Sequence, residues 1–243
     1  MSQDTLYASG KAATGSFEFN AAVASVFPDM LQRSIPGYAQ TIEAISALAR
    51  RRVQPGSRCY DLGCSLGAAT LAMRHGIKVP DCRIIAVDSA PAMVERCRTI
   101  VEADDAATPV DVVEADIREI AVHDASMVVM NYTLQFIPAA ERRAVINGIA
   151  SGMRNGGILV LSEKITHEDP FFDELLVDLH HDFKRHNAYS ELEIAQKRAA
   201  IENILIPDAV ATHMDRLRQA GFAHVGVWLR WFNFVSFVAI RGK

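Results

Sequence analysis

The sequence Asp61-Leu62-Gly63-Cys64-Ser65-Leu66-Gly67 is a Gly-rich turn at the end of the β-rich run Arg58–Leu62, and it is the strongest indication of the fold. A chain that turns sharply beneath a ligand needs small residues, which the glycines and the serine of this turn supply. The helical pattern Ala68–His75 comes next, so the turn joins a strand to a helix. A strand, a Gly-rich turn and a helix in this order are typical of a ligand site in an open α/β sheet.

Outward from this turn, β-rich runs alternate with helical patterns. Four further strands are predicted at Arg83–Val87, Val110–Glu114, Ser126–Asn131 and Ile158–Ser162, the last after a turn at Gly156-Gly157. Helices are predicted at Pro91–Val101 and Ala139–Met153, and between Phe17 and Arg52 with an interruption at Pro36-Gly37. This alternation predicts right-handed crossovers and a parallel sheet covered on both faces.

The pattern changes after Glu163. Residues 167–205 read as a charged helical insertion, and the runs Val225–Leu229 and Phe232–Ile240 are too close together for a helical crossover, so they must pair antiparallel. The predicted α/β fold is therefore a doubly wound, mostly parallel seven-stranded sheet with a C-terminal antiparallel hairpin. Residues 1–16 are expected to be a flexible tail and residues 17–243 a single domain. This outline resembles the Rossmann-like class I methyltransferase fold, and the comparison is an analogy of fold alone.

Composition narrows the class of protein. The 243 residues suit one large domain, and 25 Lys and Arg against 29 Asp and Glu give a net charge of −4, which argues against direct nucleic acid binding. The four cysteines form no CxxC pair, so we expect reduced, buried thiols and no metal. The start lacks a signal-peptide pattern and no stretch of 18 apolar residues occurs, so a cytoplasmic protein without membrane contact is expected.

The Gly-rich turn departs from the dinucleotide pattern at its centre. Ser65 stands where the middle glycine would let a pyrophosphate approach, which favours a ligand without phosphates, such as an amino acid joined to a nucleoside. Asp88 follows the second strand and can accept hydrogen bonds from both ribose hydroxyls, although it could instead cap the helix that begins at Pro91.

Two further positions follow later strands. Ile117 could form an apolar wall for an adenine ring and Asp116 could accept from its amino group, yet Asp before Ile-Arg is also common in loops. Asn131 ends the fourth strand, at the edge where open sheets bind ligands, and asparagine is equally an ordinary turn former.

The sequence resembles a known family over nearly its whole length, from about Phe17 to Ile240. The Gly-rich turn and the strand ends are similar to class I S-adenosylmethionine-binding proteins. More specific motifs resemble the carboxy-S-adenosyl-L-methionine synthase family, namely Val26-Phe-Pro-Asp-Met30, Arg33-Ser34, Pro36-Gly-Tyr38, His180-His-Asp-Phe-Lys-Arg185 and Tyr189-Ser-Glu-Leu-Glu-Ile194.

The resemblance implies an activity that is unusual for this fold. Such a protein converts S-adenosyl-L-methionine and the substrate prephenate to carboxy-S-adenosyl-L-methionine and phenylpyruvate. The product then supplies the carboxymethyl donor for modification of a tRNA wobble uridine by a separate enzyme. The implied protein is therefore a transferase of a carboxyl group that takes S-adenosyl-L-methionine as substrate and needs no metal.

The resemblance also implies the site residues. The nucleoside and methionine parts would be lined by Tyr38, Gly63, Cys64, Ser65, Asp88, Ser89, Asp116, Ile117 and Asn131. Arg198, in the insertion, would be the catalytic residue that binds the added carboxylate, a task that suits a guanidinium fork. The family is dimeric, so a homodimer is implied in which Arg198 reaches the pocket of the neighbouring chain. Without the resemblance, Arg198 would read as a solvated helix charge.

Two alternatives use the same fold and turn. An ordinary small-molecule methyltransferase would have no need of a cation beside the sulfonium. A non-catalytic subunit would bind S-adenosyl-L-methionine only to fold, and ligand would stabilise it by mass action.

Overall fold

The central sheet of the computed structural model contains eight strands within the residues that the structure describes, namely Asp4, Leu6, 18–201 and 204–242. The strands are β1 (Arg58–Leu62), β2 (Arg83–Asp88), β3 (Val110–Glu114), β4 (Ala125–Asn131), β5 (Met153–Thr166), β6 (Asp208–Ala209), β7 (Phe222–Trp231) and β8 (Phe234–Arg241). Seven of them lie side by side in the order β3-β2-β1-β4-β5-β8-β7, and β6 adds two residues beside β5.

Strand directions confirm the predicted fold class. Strands β1 to β5 pair parallel with one another, while β8 pairs antiparallel with both β5 and β7. The carboxyl ends of β1, β2 and β4 consequently meet at one edge of the sheet, which is where open α/β sheets bind ligands.

Eight α-helices surround this sheet within the described ranges. They are α1 (Ala21–Ser34), α2 (Tyr38–Arg52), α3 (Ala68–Gly76), α4 (Pro91–Ala103), α5 (Ala139–Gly152), α6 (Pro170–His186), α7 (Glu191–Ile201) and α8 (Val210–Gln219). Alternate residues of the strands face α2 and α3 on one side and α5 and α8 on the other. This burial on both faces explains why the inner strands read as continuous apolar runs.

The structure corrects several predicted boundaries. Met153 belongs to β5 rather than to the helix before it, and the Gly156-Gly157 pair lies inside the strand rather than in a turn. The strand accommodates these glycines through an irregularity, because the β4–β5 register shifts here and Gly156 adopts a φ of 72°. The insertion is not one helical stretch, because residues 187–190 separate α6 from α7. The short strand β6 and helix α8 were not predicted.

The expected flexible tail, residues 1–16, lies outside the described residues except for Asp4 and Leu6. Asp4 is buried, and its carboxylate accepts a hydrogen bond from the Tyr189 hydroxyl. All four cysteines are free and buried. None of the helices in the described ranges is both long and apolar enough to span a membrane.

Candidate active site

The Gly-rich turn is folded tightly against the neighbouring strand. The main-chain N–H groups of Gly63 and Cys64 both donate to the Val87 carbonyl, at 2.8 and 2.9 Å. Gly63 has a φ of 85°, and a Cβ added there would lie 2.2 Å from the Thr133 side chain. Ser65 also adopts a positive φ, 52°. The turn therefore requires glycine at position 63 both for its backbone conformation and for lack of space.

Asp88 fastens this turn to β2. One carboxylate oxygen accepts from the Ser65 N–H at 2.8 Å and the other from the Ala90 N–H at 2.9 Å. Burial raises the pKa of Asp88 above its ordinary value. Each oxygen keeps acceptor capacity, so the carboxylate can hold the turn and still accept from ligand hydroxyls. The N-cap residue of α4 is Ala90, so Asp88 does not occupy the capping position.

Asp116 and Ile117 lie where the third strand gives way to a single 3₁₀ turn. Asp116 accepts from the main-chain N–H of Arg118 at 2.9 Å and pairs with its guanidinium at 2.5 Å. This pairing lowers the pKa of Asp116. Ile117 is buried and presents an apolar side chain. The pair thus offers an apolar wall next to a fixed carboxylate.

Two acceptor atoms in the site have no partner. The Oδ1 atoms of Asp61 and Asn131 are buried without a hydrogen bond, while Asp61 Oδ2 accepts from the Thr70 hydroxyl at 2.6 Å. Burial raises the pKa of Asp61 to about 7. Because unpaired buried acceptors are costly, a ligand that brings donors fits here, and the ammonium group of S-adenosyl-L-methionine is such a donor. Sequence reasoning did not single out Asp61 as a ligand contact, although Asp61 is the first residue of the Gly-rich turn.

All ten predicted site residues line one cavity of about 820 Å³. This volume is in the range of small-molecule sites. The shared wall consists of Tyr38, Gly63, Cys64, Ser65, Asp88, Ser89, Asp116, Ile117, Asn131 and Arg198. The cavity joins the sheet edge to helices of the insertion, so the two regions that the resemblance singles out meet in one space.

The far side of the cavity is cationic. Four positively charged residues from β5 and the insertion line it, namely Lys164, Lys184, Lys197 and Arg198. Lys197 pairs with Asp4 at 3.2 Å, whereas Arg198 is exposed. Asp61, Asp88 and Asp116 supply the acidic groups of the lining from the region of the strand ends, where Arg118 pairs with Asp116. Sequence reasoning missed Lys164 and Lys184 as site residues, although Lys184 falls within the motif His180–Arg185 that carries the resemblance.

Two histidines also line the cavity. The Nε2–H of His180 donates to the Ser34 carbonyl at 2.8 Å, and its ring lies 4.7 Å from that of Phe234. Burial lowers the pKa of His180 to about 2, so the ring is neutral and a poor general base. Within the described part of the chain, no three His, Cys, Asp or Glu side chains are grouped to hold a metal ion.

Comparison with known proteins gives two kinds of similarity. Residues 60–157 match a family model described as "Methyltransferase domain". Curated relatives named carboxy-S-adenosyl-L-methionine synthase include one from Klebsiella pneumoniae, 54% identical over 98% of this chain and 97% of the relative. Another, from Yersinia enterocolitica, is 56% identical over 98% of this chain and 90% of the relative.

Solved structures support the fold alone. A putative O-methyltransferase from Nostoc punctiforme superposes with a TM-score of 0.64 at 14% identity, over 91% of this chain and 59% of that one. Human N-acetylserotonin methyltransferase in complex with S-adenosylmethionine gives a TM-score of 0.60 at 14% identity, over 92% of this chain and 56% of that one. This chain therefore spans little more than half the length of these two structural neighbours.

Proposed function

The chain belongs to the carboxy-S-adenosyl-L-methionine synthase family, whose members are enzymes built on a methyltransferase fold, and we propose the following reaction for it. It converts S-adenosyl-L-methionine and prephenate to carboxy-S-adenosyl-L-methionine and phenylpyruvate. The product serves as the carboxymethyl donor for wobble uridine modification in tRNA by a separate enzyme.

The observation that carries this proposal is the polarity of the cavity. Acceptors lie along the sheet edge, including the unpaired Oδ1 atoms of Asp61 and Asn131, and cations lie along the insertion. The first set suits the ammonium and ribose of S-adenosyl-L-methionine. The second set suits carboxylates, both those of prephenate and the one that is added to the sulfonium. A plain methyltransferase forms a neutral thioether and gains nothing from cations beside the sulfonium.

The proposed chemistry balances without an added oxidant. Prephenate loses its ring carboxylate as CO₂, and the released electron pair aromatises the ring and expels the 4-hydroxide, which leaves phenylpyruvate. The hydroxide takes a proton from the S-methyl group, whose C–H bonds are acidified by the positive sulfur, and becomes water. The resulting ylide carbon attacks CO₂ and forms the new carboxylate. The protein holds both substrates together, keeps bulk water away and neutralises the product carboxylate.

A homodimer is part of this proposal. Phe171 is 78% exposed in the single chain, and Phe172 and Leu175 on the same helix are also exposed. Such a patch is costly in water, and burial against a second copy about a two-fold axis would remove that cost. Arg198 is exposed at the rim of its own cavity, where a second chain could receive it.

The test is the reaction itself. With S-adenosyl-L-methionine and prephenate, mass spectrometry should detect carboxy-S-adenosyl-L-methionine and phenylpyruvate in equal amounts, and neither in reactions without prephenate. The mass of any ligand retained on purification should exceed that of S-adenosyl-L-methionine by one CO₂. Formation of S-adenosylhomocysteine with methylated prephenate would establish the methyltransferase alternative. A folded protein that binds ligand but turns over neither way would be the non-catalytic subunit.

A further inference from the structure

Lys184 is a buried cation without a counter-charge. It lies on α6, is 8% exposed and lines the cavity. Among the described residues, no carboxylate lies within ion-pair distance of the cationic atoms of Lys164, Lys184 or Arg198, whereas the neighbouring Lys197 has Asp4. Burying a charge without a partner costs several kcal/mol in general, so a protein that retains one usually gives it an anionic ligand.

The charged groups that act on Lys184 are all cations. Burial and like charges lower its pKa to about 7. The charged or titratable groups that face it come from β5, α7 and its own helix, and they are Lys164, Lys197, Arg198, His180 and His181. Lys164 is in a similar but not identical position: burial and Arg198 lower its pKa, while Asp173 acts in the opposite direction.

We propose that Lys184, together with Lys164, forms the subsite that binds the carboxylates of the second substrate, separately from Arg198. The inference rests on the proposed function for the identity of that substrate. The chemical class that fits is an organic dianion with an apolar ring, because the cations share the cavity with Phe136, Val177 and Phe234. Two lysines provide point charges on flexible stems, which suits a substrate that must change shape as its ring becomes aromatic.

This subsite predicts a division between the two substrates. Lys184→Met keeps the length of the side chain and removes the charge, so the KM for prephenate should rise about 10- to 100-fold, the loss expected for one charge-assisted bond. Calorimetric affinity for S-adenosyl-L-methionine should stay within about twofold, because its contacts lie on the sheet edge. Lys164→Met should behave alike. Lys78→Met is the matched control, since Lys78 is exposed and lies outside the cavity.

A pH profile separates this role from a structural one. Dianion binding needs protonated Lys184, so wild-type kcat/KM for prephenate should fall above a pH of about 7, the pKa of the free enzyme. Lys184→Arg keeps its charge at every accessible pH, so the fall that deprotonation of Lys184 causes should be absent from its profile, even if the maximum is lower. A wild-type profile without this fall, or an identical fall in Lys184→Arg, overturns the proposal.

Stability of the ligand-free protein gives a second, independent readout. The folded state disfavours the charged form of Lys184, so this residue lowers the free energy of unfolding. The loss is largest below a pH of about 7, and it shrinks as the pH rises towards the pKa that Lys184 has in the unfolded chain. Lys184→Met should therefore raise the Tm of the free protein, and more at pH 6 than at pH 9. A residue retained for structure would lower the Tm when removed.

Phenylmalonate, an unreactive aromatic dicarboxylate, distinguishes failure of this inference from failure of the proposed function. It should raise the Tm of the wild type and of Lys78→Met, and have little effect on Lys184→Met. If the wild type makes no carboxylated product from prephenate but keeps this Lys184-dependent shift, the reaction is wrong and the dianion subsite stands. If the wild type makes the product while Lys184→Met and Lys164→Met keep an unchanged KM, the subsite is wrong. Should Lys184→Met fail to fold, Lys184→Arg and Lys164→Met still decide.

Discussion

Asp88 shows how a single carboxylate can serve both the backbone and a ligand. Its two oxygens already accept from the N–H groups of Ser65 and Ala90, so the turn is held in shape before a ligand arrives. Preorganisation of this kind lowers the entropy that binding must overcome. The ribose hydroxyls would then add to hydrogen bonds that exist rather than replace them.

Substitution of Asp88 by alanine tests the ribose contact. Losing the acceptor for two ribose hydroxyls should weaken S-adenosyl-L-methionine binding by about 1–3 kcal/mol without unfolding the protein, as measured by titration calorimetry. The control is Asp111→Ala, which removes a half-exposed carboxylate on β3 that pairs with Arg83 away from the cavity. Equal affinities in a folded Asp88→Ala protein and the wild type would refute the ribose assignment.

Site residues could be predicted from the sequence where their position relative to a strand end identifies them. Gly63, Ser65 and Asp88 stand at fixed places relative to strand ends, and such places are visible in a single sequence. Whether Asp61 Oδ1 has a hydrogen-bond partner and whether Lys184 has a carboxylate beside it depend on residues far away in the chain. No local pattern encodes these long-range absences, so sequence reasoning missed both.

At the scale of elements, the turn at Gly63 combines two constraints that can be separated by substitution. Gly56 also has a positive φ, 65°, but a Cβ added there meets nothing within 4 Å. Gly63 has a φ of 85° and its added Cβ would meet Thr133. A substitution by alanine would therefore strain the backbone at both positions, but it would cause a steric clash only at Gly63.

Gly56→Ala should lower the free energy of unfolding by about 1–2 kcal/mol, the cost of a left-handed alanine. Gly63→Ala should lose about 1–3 kcal/mol more, because Thr133 must move out of place, and it should also bind S-adenosyl-L-methionine more weakly. Adding Thr133→Ala to Gly63→Ala should recover much of the difference. Denaturant unfolding measures all of these values, and similar losses at the two glycines would contradict the packing argument.

Elements were predictable in proportion to their burial. The central strand β4, predicted at Ser126–Asn131 and found at Ala125–Asn131, was located closely because burial on both faces leaves a run of apolar residues. The break between α6 and α7 was not foreseen, because the guanidinium of Arg33 on α1 fixes it by donating to the carbonyls of Asn187 and Ala188 at 2.7 and 2.8 Å. Partners about 150 positions away leave no local signal.

The net charge of the chain does not indicate how charge is distributed around the cavity. The chain carries a formal charge of −4, yet one side of its cavity is lined by cations from β5 and the insertion. Local potential, rather than total charge, decides which small anion is attracted. Composition could therefore argue against nucleic acid binding while remaining silent on the class of substrate.

In the proposed homodimer, Arg198 binds the carboxylate that is added to the sulfonium. The exposed guanidinium lacks a carboxylate partner among the described residues and lines the cavity of its own chain. The proposal is that in a two-fold dimer it serves the partner's cavity. Arg198→Ala should weaken binding of carboxy-S-adenosyl-L-methionine by about 2–4 kcal/mol, since a buried carboxylate would be left unpaired. S-adenosyl-L-methionine, which lacks that group, should bind almost as before. Arg198→Lys should restore part of the loss, because an ammonium cannot reproduce the fork.

Mixing subunits tests whether Arg198 acts across the interface. When Arg198→Ala chains exchange with Asp88→Ala chains, a mixed dimer has one pocket with both defects and one with neither, provided that Arg198 serves the partner. Carboxylated product should then reappear in the mixture, although each variant alone is impaired. Light scattering should first establish the dimer, and differently tagged chains should establish exchange. An inactive mixture of exchanged dimers would assign Arg198 to its own chain's cavity, while a monomer at assay concentration would exclude sharing altogether.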